Sequence, residues 1–156
     1  MKKKDRSTTN GVKYMIIAGL FLSVIMAASF FVFNIAVFSA QMGHPYPGFV
    51  ETGIQLPESG DGVGFNFVII VPISLFISWL GYFRKRYDIA LLFAYTPIFY
   101  TGYLICSIFP ISDFGKILLY MLSPYTLIQG IMAGVVYWVI PISLLALLVK
   151  YFSSRS

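Results

Sequence analysis

Four blocks of this chain, Tyr14 to Phe38, Gly64 to Phe83, Ile89 to Phe109 and Ile117 to Val149, contain no charged side chain. Each is at least as long as the roughly 20 apolar residues that carry an α-helix across a bilayer. Nothing else constrains the fold as strongly, because an ionised side chain at the bilayer centre is costly and its absence over such lengths marks segments built for hydrocarbon. The cations lie between the blocks. Ten of the eleven Lys and Arg residues fall in the N-terminal tail, in the turn Arg84-Lys85-Arg86 and at the C-terminal end. Short loops rich in Lys and Arg stay on the cytoplasmic side of a membrane, so the same map predicts orientation.

The expected fold class is an all-α integral membrane protein, a four-transmembrane-helix antiparallel bundle with a short interfacial helix before the last span. The whole chain then forms a single membrane domain: cytoplasmic tail 1–13, first span 14–38, outer loop 39–63, second span 64–83 and inner turn 84–88. It continues as third span 89–109, outer connection with the interfacial helix 110–123, fourth span 124–151 and cytoplasmic end 152–156. Met1 to Lys13 has the composition of a disordered tail. A secretory signal is the competing assignment for the first block, but its apolar core would run about 7–15 residues. A retained helix is predicted.

The last block has 33 residues. At about 1.5 Å per residue a single helix would reach roughly 50 Å, against a hydrocarbon core of about 30 Å. Ser123-Pro124 resolves the excess, since Ser favours the N-cap and Pro the first helical position. A short helix from Phe114 to Leu122 at the outer interface is therefore expected, and a new helix from Pro124. Lys116 is the one cation assigned to the outer side. Pro72, Pro97 and Pro141 fall within spans and are expected to shape the helices by kinking them. Tyr14, Tyr82, Tyr87 and Tyr151 would mark the inner interface, and Phe65, Tyr120 and Tyr125 the outer one.

Of the 156 residues, 58% are hydrophobic and 11% charged, against about 25% charged in a typical soluble domain. The formal charge of +5 sits beside apolar segments, which points to a bilayer with anionic headgroups at its inner face and not to nucleic acid. No catalytic signature of the His-Glu-x-x-His, Gly-x-Ser-x-Gly or Walker type is present. One cysteine, Cys106, and one histidine, His44, cannot between them make a disulfide, a zinc site or a bis-histidine haem. No catalytic residue, metal or cofactor is expected. His44, Glu51, Glu58 and Asp61 in the outer loop are the remaining titratable candidates. Asp88 and Asp113 are expected to act as anions at helix starts.

Uncharged polar and small residues carry the rest. Asn34, Tyr103, Ser107 and Gln129 lie at similar depths from the outer side and could converge in a polar pocket, or bond between helices. Gly19, Ser23 and Ala27, with Thr126, Gly130 and Gly134, repeat every four residues, the spacing that lets membrane helices approach closely. Their expected role is a helix-packing seam, with a homodimer contact as the alternative.

The function expected is binding of another membrane component, as an accessory, immunity or regulatory subunit, without catalysis. A membrane-protein partner or self-association follows from that. The alternative is a homo-oligomeric pore or small-solute transporter lined by neutral polar residues, and a remote alternative is an integral-membrane enzyme with an outer-face site. The expected location is a bacterial plasma membrane with both termini cytoplasmic.

Overall fold

A computed structural model describes residues 2–44, 46–56 and 63–154. These form six α-helices, with no strand among the described residues. Glu58, Asp61 and Arg155 lie outside the described residues.

Helix α1 runs from Lys2 to Gln41 without interruption. The residues expected to be a disordered tail therefore extend the first helix. The physical reason is that, once a helix exists, each added residue gains one hydrogen bond. Lys and Arg are good helix formers and no proline stands in the way. At about 1.5 Å per residue the forty residues extend roughly 60 Å, twice the hydrocarbon core.

Helices α2, Val63–Phe83, and α3, Tyr87–Ile108, are joined by three residues. The turn closes with Arg86 N–H donating to the Gly81 carbonyl at 2.9 Å, and Lys85 takes the left-handed conformation at φ 58°. Gly81 makes the hairpin tight, since a Cβ there would lie 3.1 Å from the Ala90 nitrogen. Ser78 Oγ donates to the Ala90 carbonyl at 2.7 Å across the same contact. Pro72 and Pro97 sit inside these helices without ending them.

After a single 3-10 turn at Ile111–Asp113, α4 spans Phe114–Met121, close to the short helix expected. Ser123 then caps α5, Pro124–Gly134, its Oγ accepting from the Thr126 amide, with Pro124 at the first turn. Between α5 and α6, Ile140–Ser153, the chain widens into one π-turn, Val135–Val139, where Ile140 N–H donates to the Val135 carbonyl. Pro141 accounts for it. Proline has no N–H for the Tyr137 carbonyl and its ring crowds that position, so the helix re-registers by one residue instead of continuing straight.

Three helical stretches, Thr9–Gln41, Tyr87–Ile108 and Pro124–Ser153, are long and apolar enough to cross a membrane. They mark the chain as a membrane protein. Helix α1 is the element on which α3 and α5 pack along most of their length. The largest buried side chains are Phe30 and Phe33 of α1 and Phe67 of α2.

Candidate functional site

The two ends of the molecule are built differently. The end that carries loop residues 46–56 is closed, and the end that carries Arg84, Lys85, Arg86 and Lys150 holds an open groove.

At the loop end, Phe33 is fully buried and its ring stands 6.0 Å from Phe49, 5.4 Å from Phe109 and 6.0 Å from Tyr120. Edge-to-face geometry between such rings sets the positive ring edge against the negative face of its neighbour. The loop is drawn onto this cluster by Phe49, which is 4% exposed. Tyr120, expected at an aromatic belt, is instead buried in the cluster. Tyr46 O–H donates to Gln129 Oε1 at 2.7 Å. Burial, with the Tyr125 hydroxyl nearby, pushes the Tyr46 phenol above its ordinary value, which keeps it a donor.

Asp113 completes the closure. It stands at the start of α4, as expected, but makes no cap bond to that helix. Its carboxylate is buried and accepts from the Gln55 amide at 3.0 Å and from Lys116 Nζ at 2.9 Å, while Lys116 also donates to the Gly53 carbonyl at 3.2 Å. The reason for the difference is the loop. The Gln55 amide of the loop is aimed at this carboxylate, which satisfies it more strongly than a neutral group does. The hydrogen bond from Gln55 and then the Lys116 ammonium hold the Asp113 carboxyl below the usual carboxylate range, against the opposing effect of burial. A carboxyl with a depressed folded pKa stabilises at neutral pH, and the contribution disappears as pH falls through the folded value. Limited proteolysis of residues 46–56 should therefore be slow at neutral pH and accelerate in acid below that range. Asp113→Ala should be cleaved fast at every pH, and an unchanged cleavage rate in that variant would mean the carboxylate holds nothing.

Of the residues expected in a polar pocket, Asn34 Nδ2 donates to the Phe30 carbonyl and Ser107 Oγ to the Tyr103 carbonyl, each four residues back in its own helix. Tyr103 and Ser107 are exposed on α3. Gln129 is taken by Tyr46. Asn34, Ser107 and Gln129 are thus satisfied locally or by the loop, and the Tyr103 ring faces outward.

The small-residue series faces inward. A Cβ at Gly130 would lie 3.0 Å from the Ser29 nitrogen and one at Gly134 would lie 3.0 Å from Val24 Cγ1, so both glycines meet α1 of the same chain. Gly19 is covered by the Tyr95 ring, whose O–H donates to the Met15 carbonyl. Ser23 Oγ donates to the Ala94 carbonyl, and Ala27 and Thr126 are fully buried.

The groove lies toward the basic end, where α6 departs from α1. Its walls are Ile17 and Leu20 of α1, Leu75 and Trp79 of α2, and Val139 and Ile142 around the π-turn, and they enclose about 560 Å³. That is within the range of small-molecule sites, about 300–1,000 Å³. The lining is almost wholly apolar. Helix α6 leaves Leu144, Leu145, Leu147 and Leu148 all half-exposed or more, and buries only Ile142 and Ala146. Periodicity alone could not have revealed the groove, because its lining comes from three segments far apart in the chain. Pro141 was the local signal available, as the source of the π-turn that borders it. The Asp113–Lys116 spacing of three residues on a helix was the signal for the ion pair.

His44 and Glu51 are exposed in the loop, and no group of three His, Cys, Asp or Glu among the described residues could hold a metal ion. The chain matches no family model, no curated protein and no solved structure.

Proposed function

We propose that this chain is a four-span integral membrane protein that works by binding another membrane component in its apolar groove, as an accessory, immunity or regulatory subunit, and not by catalysis. In this reading α2 is the fourth span. Its 21 residues reach about 31 Å at about 1.5 Å per residue, enough for the hydrocarbon core. The segment 39–63 contains no Lys or Arg, which supports an outer loop with both termini in the cytoplasm of a bacterial cell. Helix α4, with Leu119 and Ile111 beside it among the most exposed apolar residues, suits the outer interface.

The observation that carries the functional reading is the groove. Ser23 and Ser78 bond carbonyls of α3, while the hydroxyls of Ser29 and Thr101 are buried without a partner. Burial of all four hydroxyls favours binding over conduction, since a water-filled lining would leave them facing solvent. What the bundle leaves open is apolar, concave and flanked by an under-buried helix.

The test is to fill the groove. Ile17 and Ile131 line it and are 51% and 44% exposed, so a larger side chain at either position grows into open space. Purified in mild detergent from its native membrane, the wild-type protein should bring its component with it. Ile17→Trp/Ile131→Trp should fold normally, judged by an unchanged melting temperature, and come away without it. A wild-type protein recovered alone would contradict the reading, as would a component still bound to the filled groove.

A further inference from the structure

The groove has a basic end. Phe83 and Tyr82 line it there, and Arg84 follows at once, exposed to solvent. On α6 the inward face runs through Ile142, Ala146 and Lys150 at four-residue spacing, so Lys150 continues the stripe that faces the groove. Its ammonium lies 5.2 Å from the centre of the Phe83 ring, over a wall of the groove. A cation above an aromatic face is held there electrostatically without being neutralised. Opposing charge is scarce: among the described residues at this end the acids are Asp5 and Asp88, and Asp88 is paired with Arg86 at 3.3 Å.

An apolar slot that ends at unneutralised cations is complementary to one kind of molecule, an apolar chain with an anionic head. We propose that the groove holds an anionic phospholipid of the adjacent leaflet, one acyl chain lying against Leu75 and Val139 and the phosphate held by Lys150 and Arg84. This names the membrane component of the functional reading above and rests on it. The slot accepts the chain by shape and apolar surface. The two cations select the head, Arg84 by the forked donors that suit a phosphate and Lys150 as a point charge. A zwitterionic lipid fits the slot equally well and gains less at its mouth.

The experiment uses the purified full-length protein with equimolar phosphatidylglycerol and phosphatidylcholine of matched chains, read by native mass spectrometry. The wild type is expected to retain one phosphatidylglycerol in clear excess. Lys150→Gln and Arg84→Gln should each reduce that excess roughly fivefold, the worth of one basic residue at an anionic surface. Both side chains are exposed, so the fold should be unaffected. Lys3→Gln removes the same charge from the start of α1, about 21 Å of helix away from Ile17, and should change nothing. Ile17→Trp/Ile131→Trp should lose both lipids. Equal retention of the two lipids by the wild type would overturn the proposal, as would equal effects of Lys3→Gln and Lys150→Gln. If lipid preference is absent while the filled groove still sheds a co-purifying protein, the lipid assignment fails and the functional reading stands. If neither is seen, both fail.

Discussion

Gly130→Leu is expected to part α5 from α1 and to lower stability by about 3 kcal/mol, the upper part of the usual range for overpacking. The size follows from what the new side chain would meet. Even a methyl group at this position stands 3.0 Å from the Ser29 nitrogen, 3.1 Å from Ser29 Oγ and 3.2 Å from the Ala28 carbonyl carbon. Two of these are backbone atoms of α1, which cannot move aside by a rotamer change. Four residues on, Gly134 is in the same contact with Val24 and Ala28, so a shift that relieved position 130 would open the seam along its length. Membrane helices gain from such approach through dispersion contacts, and separation loses them together. Thermal unfolding in detergent measures the effect, with Gly102→Leu as reference, because a Cβ at Gly102 meets nothing within 4 Å. Equal melting temperatures for the two variants would show that the seam contributes nothing.

Phe33→Ala should cost about 3–5 kcal/mol, as removal of a fully buried aromatic ring does when the surroundings cannot collapse. Collapse is hindered here because the ring is shared. Phe30 lies 6.0 Å away on the same helix, Phe109 at the end of α3, Tyr120 on α4 and Phe49 on the loop. Four separate elements would have to move toward one vacancy. The loop should loosen along with the helices, so faster proteolysis between residues 46 and 56 is expected beside the lower melting temperature. Phe99→Ala provides the contrast, since Phe99 is 75% exposed on α3. If both variants melt alike, Phe33 is not the keystone of the loop end.

Much of this architecture was legible in the residue order, and the reasons differ by element. The apolar blocks announced α2, α3 and the long last helix because charge is excluded from hydrocarbon whatever the tertiary contacts. Ser123-Pro124 marked the start of α5 because a cap is a local event involving its own three neighbours. Gly130 and Gly134 were legible as a seam, but the face they meet, Val24 to Ser29, is a matter of helix rotation and appears only in three dimensions. Asp113 stands at the start of α4 as expected, but its role in holding the loop was not legible, for the same reason. Its partner Gln55 stands 58 residues away, and no local rule distinguishes a carboxylate that caps a helix from one that receives a distant loop. The N-terminal tail was misjudged on composition, where helix continuation outweighed charge. The groove was the least legible feature, because an apolar residue lining a slot and one facing lipid are the same residue in the sequence.

Occupancy of that groove is the central claim, and site-specific photo-crosslinking in the native membrane reaches it most directly. A photoreactive phenylalanine analogue would replace Val139, which lines the groove, and in a second variant Phe99 on the exposed face of α3. The account predicts one discrete adduct from position 139, lost when Ile17 and Ile131 are both Trp, and only scattered bulk-lipid labelling from position 99. The same scattered labelling from both positions would contradict it.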